Sequence, residues 1–182
     1  MIIDETELPD VLLVTPAVHA DDRGFFLESW NKRDYDDAGI DARFVQDNIS
    51  VSKHLALRGL HFQHTRPQGK LVRVVSGRIF DVAVDMRRSS EFFGHWTGVE
   101  LSDANRNALW IPEGFAHGFV ALSDSATVFY KCTDYYSPED EQTIRWDDPA
   151  LAIDWPIPAD KNPVVSDRDM AGTSFESAKT FP

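Results

Sequence analysis

The sequence predicts an all-β fold, a sandwich or barrel of short strands, on three observations. Turn residues recur along the chain, in Asp21-Asp-Arg-Gly24, Asp37-Ala-Gly39, Arg66-Pro-Gln-Gly69, Ser76-Gly77, Pro112-Glu-Gly114, Ser123-Asp-Ser125 and Ser137-Pro-Glu-Asp140. The stretches between them alternate with period two and are rich in β-branched and aromatic residues, the pattern of half-buried strands. Helical periodicity is weak, with one modest candidate at 32–38 and a short turn near the C-terminus. Many short strands divided by turns close into sandwiches or barrels.

In chain order, residues 70–76 and 78–86 form the clearest pair of strands, with Ser76-Gly77 as the expected hairpin tip. In the second arm Phe80, Val82, Val84 and Met86 share one face, and Asp81, Ala83 and Asp85 take the other. Two more strands follow at 115–122 and 127–133. The segment Trp146–Pro163, rich in Pro and Asp, is predicted to be irregular and to wrap the barrel or one of its rims. No internal repeat and no Ser/Gly linker divides the 182 residues, so they are expected to form one domain, 1–182.

Composition narrows the function classes. A chain that is 42% hydrophobic, with 12 Phe, 5 Trp and 4 Tyr, has the apolar content of a packed core rather than of a disordered segment. Its net charge of −12 argues against nucleic acid or an anionic membrane as partner, since both are gripped by basic surfaces. A local basic pocket for a small phosphorylated ligand stays open. The single cysteine, Cys132, rules out an intrachain disulfide framework and suits a reducing compartment. The acidic start MIIDETELPD does not read as a signal peptide, and no apolar run approaches a bilayer span. A soluble cytoplasmic protein is expected.

The most specific local motif is Leu109–Val120, Leu-Trp-Ile-Pro-Glu-Gly-Phe-Ala-His-Gly-Phe-Val. Pro112 and Gly114 suit a tight turn before a strand that places Phe115, His117 and Phe119 on one face. This Pro-x-Gly-x-x-His run resembles the second motif of cupins, whose fold is a double-stranded jelly roll; here a few short helices would accompany it. Metal-binding cupins carry a His-x-His pair that aims both rings inward. In His61-Phe-Gln-His64 the spacing is three, which sends the rings to opposite faces of a regular strand. No metal is therefore expected, and the absence of Gly-x-Gly-x-x-Gly and Walker-type loops leaves nicotinamide and P-loop chemistry without support.

His61 is a natural base near neutral pH. Tyr130 shares a strand face with Val128 and Cys132, and it is either a core aromatic or an acid facing the base across a ligand. Such a pair suits proton removal on one face of a sugar and return on the other, which is epimerisation. Among the cations Arg23, Arg58, Arg66, Lys70 and Arg73, Arg23 and Arg58 stand out as phosphate contacts or surface charges.

Seven strings carry a family likeness: Asp22–Ser29, Phe44–Ser50, Leu57–Gln63, Gln68–Arg73, Ile79–Asp85, Leu109–Val120 and Tyr135–Pro138. In order and spacing they resemble the dTDP-4-dehydrorhamnose 3,5-epimerases over nearly the whole chain. The resemblance implies a homodimeric cupin that uses no cofactor. It would invert C3 and C5 of dTDP-4-dehydro-6-deoxy-D-glucose to give dTDP-4-dehydro-L-rhamnose, in dTDP-L-rhamnose synthesis. By the same resemblance His61 is the base, Tyr130 the acid on the opposite face, and Lys70 the cation beside the C4 oxygen. Asp169 orients His61, with Asp167 as the fallback. Arg23, Glu28, Gln46, Asp47, Asn48, Arg58, His117, Glu141 and Arg168 are implied ligand contacts. Tyr136 is implied to stack on thymine, with Tyr135 as its neighbour, and Arg23 and Glu28 to reach a partner's pocket. His64 and Arg66 carry no role.

The related alternative is a C5- or C3-only epimerase on another dTDP-4-keto-6-deoxy sugar. More distant ones are a metal-dependent cupin using His61, His64 and His117, and a sugar-binding cupin without catalysis. One strand-parity conflict remains. Arg58 and His61 should point to opposite faces, so either Gly59 introduces a bulge or Arg58 approaches along the rim.

Overall fold

The computed structural model describes residues 1–182 and is built almost entirely of strands. The chain begins with β1 (Ile2–Glu5), β2 (Leu12–Thr15), β3 (Val18–Asp21) and β4 (Gly24–Leu27), followed by α1 (Lys32–Asp37). The body comprises β5 (Gln46–Lys53), β6 (Ala56–Gln63), β7 (Lys70–Ser76), β8 (Arg78–Asp85), β9 (Trp96–Ser102), β10 (Ala108–Ile111), β11 (Phe115–Ala121) and β12 (Ser125–Cys132). β13 (Glu141–Thr143), β14 (Val164–Val165) and α2 (Asp167–Met170) complete it. No helix is long and apolar enough to cross a membrane.

Two sheets form the cupin-like jelly roll. One runs β1-β2-β10-β7-β12-β5, and the other β13-β6-β11-β8-β9, with β14 added parallel to β6. The hairpin β3–β4 stands apart as a two-stranded ribbon. The core between the sheets joins Val72, Val74, Leu109 and Val128 of the first to Ile79, Ala83, Leu101, Phe115 and Phe119 of the second. Each large apolar side chain sequestered there contributes about 1.5–3 kcal/mol.

Both sheets are also covered on their outer faces. Val82 and Val84 of β8, with Met86 just beyond it, pack with Leu57, Leu60 and Phe62 of β6 under Leu151 and Trp155 of the C-terminal segment. That segment wraps the barrel, as its composition predicts. On the other side Val14, Leu71 and Ala108 are covered by Tyr35, Ile40 and Ala42. Tyr35 belongs to α1, the helix expected at 32–38, whose start is fixed by Asn31 accepting a hydrogen bond from the Arg33 amide (3.1 Å).

The strands expected at 115–122 and 127–133 are β11 and β12. The expected hairpin over Ser76-Gly77 is not formed. β7 pairs with β10 and β12, whereas β8 pairs with β9 and β11 in the opposite sheet. Ser76-Gly77 is the corner where the chain crosses between sheets. Gly77 has φ +84°, and a Cβ there would lie 2.2 Å from the Ser125 carbonyl oxygen. A left-handed glycine serves a corner as well as a hairpin, and alternation does not reveal which neighbour a strand pairs with.

Candidate active site

A cleft of about 380 Å³ opens between the two sheets at β5 and β6. Alternation decides which side chains enter it. On β5, Gln46, Asn48 and Ser50 line the cleft. Asp47 takes the opposite face, where its carboxylate pairs with Lys131 Nζ at 2.7 Å. β12 contributes Tyr130 and Cys132, and Lys70 of β7 is the register partner of Cys132. β11 supplies His117 and Phe119, and Glu141 comes from β13.

Arg58 and His61 both line the cleft, and the parity conflict is resolved by a bulge. His117 pairs with His61 and Phe119 with Arg58, so two residues of β6, Gly59 and Leu60, stand opposite one residue of β11. Gly59 has φ +113°, and a Cβ on it would lie 2.6 Å from both Gly118 Cα and the His117 carbonyl oxygen. Only glycine fits.

The His61 ring is bonded through Nε2 to Asp169 Oδ1, and its Nδ1 lies 3.9 Å from Glu141 Oε1. Asp169 sits in α2, where the Ser166 hydroxyl caps the helix by accepting from the Asp169 amide (3.1 Å). β14 fastens this segment to β6, and the Thr173 amide bonds the Thr143 carbonyl (2.9 Å) beyond it. Burial opposes ionisation of Asp169, but the His61 and Ser166 hydrogen bonds outweigh it and hold the carboxyl below its ordinary value. Asp167 is exposed and outside the cleft.

Tyr130 faces His61 from the other sheet. Burial raises its phenol pKa, which keeps the hydroxyl protonated and able to donate. Lys70 is half-buried between the two walls. Burial pushes its ammonium pKa down, against the pull of Cys132, Glu141 and Asp81. His117 is buried with its Nε2 2.8 Å from Asp81 Oδ1; burial lowers its pKa although Asp81 acts the other way.

Toward the mouth, the Tyr136 hydroxyl donates to Glu141 Oε2 (2.8 Å), and Arg168 bonds both Glu141 and that hydroxyl. The Tyr136 amide donates to Gln46 Oε1 (2.9 Å). Behind it Gln63, 3% exposed, joins two loops: its amide donates to the carbonyls of Arg66 (2.8 Å) and Tyr135 (3.2 Å) and accepts from the Ser137 amide (2.7 Å). Tyr135 itself is exposed and lies outside the cleft. Arg58, Lys70 and Arg168 make this a cationic recess in a protein of net charge −12.

Of the residues singled out from sequence, His61, Tyr130, Asp169, Lys70, Gln46, Asn48, Arg58, His117, Tyr136, Glu141 and Arg168 converge here. Arg23, Glu28 and Asp47 do not: Arg23 is exposed on the β3–β4 hairpin and pairs with Asp21 (2.5 Å), and Asp47 is turned outward to Lys131. His64 points away from His61, stacking on Phe181 and bonding the Thr180 carbonyl (3.1 Å). Arg66 pairs with Asp134 (2.6 Å), and Arg73 bonds the Ser29 and Arg106 carbonyls (3.1 Å each). Sequence reasoning missed Ser50, Gln68, Ser166 and Asp81. Ser50 was legible from its parity with Gln46 and Asn48, and Asp81 from its parity with the inward Ile79 and Ala83.

A base backed by a carboxylate faces a phenol across a cationic recess, an arrangement able to take a proton on one side of a ligand and give one on the other. Comparison with known proteins agrees. A family model described as dTDP-4-dehydrorhamnose 3,5-epimerase matches residues 5–177. The dTDP-4-dehydrorhamnose 3,5-epimerase of Methanothermobacter thermautotrophicus is 52% identical over 165 residues, covering 91% of this chain and 89% of that protein. That of Pseudomonas aeruginosa is 52% identical over 176 residues, 96% of each chain. The crystal structure of the dTDP-6-deoxy-D-glucose-3,5-epimerase of Legionella pneumophila, in complex with dTDP-4-keto-L-rhamnose, superposes with a TM-score of 0.94 at 47% identity. It covers 98% of this chain and 94% of that one. The chain belongs to the dTDP-4-dehydrorhamnose 3,5-epimerase family, and is an isomerase built on a cupin-like jelly roll.

Proposed function

We propose that this enzyme converts dTDP-4-dehydro-6-deoxy-D-glucose to dTDP-4-dehydro-L-rhamnose by inverting C3 and C5. The observation that carries the proposal is the opposition of His61 and Tyr130 across one cleft, with Asp169 behind the base and Lys70 between the walls. The C4 ketone acidifies the C–H bonds on both sides. His61 takes the proton, the electron pair moves onto the C4 oxygen, and the Lys70 ammonium stabilises the enolate. Tyr130 returns a proton to the opposite face, and re-formation of the ketone leaves the neighbouring carbon inverted; solvent then takes the proton from His61 and returns one to Tyr130 before the second carbon reacts. Substrate and product are isomers, so no redox cofactor enters the balance.

Arg58 and Arg168 suit the diphosphate, and Tyr136 offers a ring to stack on thymine. Gln46, Asn48, His117 and Glu141 provide polar contacts along the cleft. A homodimer is supported by exposed apolar side chains, Ile49 and Val51 on the free edge strand β5, Val75 at the end of β7, and Phe25 and Phe26 on the β3–β4 ribbon. Pairing there would carry the β3–β4 hairpin, with Arg23 and Glu28, toward the cleft of the partner subunit. The buried free thiol of Cys132 suits a reducing, cytoplasmic setting.

The test is to incubate chelator-treated protein with dTDP-4-dehydro-6-deoxy-D-glucose and assign the product by NMR. Inversion at both carbons is expected. Inversion at one carbon would make it a narrower epimerase, and no conversion would refute the activity.

A further inference from the structure

The cleft holds a second histidine–carboxylate pair that the reaction above does not use. His117 and His61 are register partners on adjacent strands, so their rings stand side by side in one wall. Both are held through Nε2 by an aspartate, His61 by Asp169 and His117 by Asp81. Asp81 is fully buried, and its second oxygen, Oδ2, has no hydrogen-bond partner. A carboxylate with one bare buried oxygen destabilises a fold relative to an apolar residue of similar size. Its place under the cleft therefore calls for a functional explanation.

The Asp81 oxygen serves as the acceptor of this contact, with the His117 Nε2–H donating to it. In the neutral ring this leaves Nδ1 without a proton. Nδ1 makes no hydrogen bond within the protein, and the ring lines the cleft. We propose that Asp81 is a positioning residue that fixes His117 in the Nε2–H tautomer, so that Nδ1 accepts a hydrogen bond from a sugar hydroxyl beside the ketone.

The proposal rests on the cleft being a sugar-nucleotide site and deepens that reading. An acceptor at this position selects a donor: it favours a hydroxyl and disfavours a carbonyl oxygen, whose lone pairs would face the nitrogen's own. The ketone oxygen is thereby left to Lys70, and the sugar is oriented between the two walls. Burial, which lowers the His117 pKa, keeps the ring neutral and the acceptor in place.

The test is 15N NMR of histidine-labelled protein, with the non-reacting dTDP-glucose and with dTDP alone. The expected result is an Nε2–H tautomer for His117 in the free enzyme, with its Nδ1 resonance moved by dTDP-glucose and not by dTDP. Asp81→Asn can present a donor or an acceptor to Nε2. It should populate the other tautomer and lower kcat/KM about 10- to 100-fold, with dTDP affinity unchanged. An Nδ1–H tautomer in the wild type, equal responses to both ligands, or an unchanged kcat/KM in Asp81→Asn would overturn the proposal. If Asp81→Asn does not fold, the wild-type spectra decide. Because dTDP-glucose does not react, the spectra stand even if the wild type proves inactive on the keto sugar, so the two failures are distinguishable.

Discussion

Arg58 and His61 face one cleft from the same strand, three positions apart, because β6 carries one more residue than β11 between their register partners. Gly59 is the residue that permits it, lying against the backbone of His117 and Gly118. Gly59→Ala must both strain a positive φ and push two strands apart. The expected cost is about 2–3 kcal/mol, or roughly 5–10 °C in Tm, with activity lost in whatever fraction folds. Thermal unfolding beside a turnover assay checks this. Wild-type stability in the variant would mean that the bulge is not tightly constrained.

Lys70→Met should move stability and activity in opposite directions. Burial disfavours the Lys70 ammonium, so a neutral side chain of similar length raises Tm, while loss of the cation proposed to stabilise the enolate lowers kcat. The pH profile supplies the sign. A lowered pKa means that the proton leaves below the ordinary lysine value of about 10.4, so wild-type activity falls earlier on the alkaline side than an unperturbed lysine would allow. Lys70→Arg stays charged and should lack that limb. Identical alkaline limbs in the two proteins would assign it to another group.

Asp169→Asn removes the carboxylate that holds His61 Nε2. A drop in kcat of about 10²–10⁴ is expected, with KM less affected, because Asp169 bonds His61 rather than the groups proposed to hold the nucleotide. Since its pKa is lowered, Asp169 in the wild type contributes stability above the ordinary carboxyl value, and that contribution is lost only as pH falls through the lowered one. Acid unfolding should therefore begin at higher pH in the wild type than in a protein with that loss already made, once both are compared at equal starting Tm.

Gln63 acts through Tyr136. Its buried amide fixes the loop from Tyr135 to Ser137, so Gln63→Ala should loosen the ring proposed to stack on thymine. The expected signature is a KM raised about 5- to 10-fold with kcat within twofold of wild type, the value of one or two hydrogen bonds. Equal losses in kcat and KM would instead place Gln63 in support of the chemistry.

Much of the jelly roll is legible in the sequence because β11 and β12 carry their β-forming residues in uninterrupted runs, whereas α1, with one buried residue, gives only a weak signal. Pairing is not. Both faces of β8 are covered, by the core on one side and the C-terminal wrap on the other, so its alternation does not say which strand lies beside it. Side-chain direction follows the same logic. Asp47 lies between the inward Gln46 and Asn48, and parity alone turns it outward. Asp81 reads as one polar residue on a mixed face, and its role appears only when β11 brings His117 over it. Arg23 lies at the turn of the β3–β4 ribbon and Glu28 just beyond its end, both outside the cleft of this chain, and local sequence does not place them.

The central claim is that His61 and Tyr130 invert two carbons by acid–base chemistry alone, and proton exchange tests it most directly. Chelator-treated enzyme in D₂O with dTDP-4-dehydro-6-deoxy-D-glucose, followed by NMR of the sugar protons, should place deuterium at both C3 and C5. His61→Ala should abolish exchange at both. Exchange that continues at the wild-type rate in His61→Ala, or that begins only when a divalent metal is restored, would contradict it.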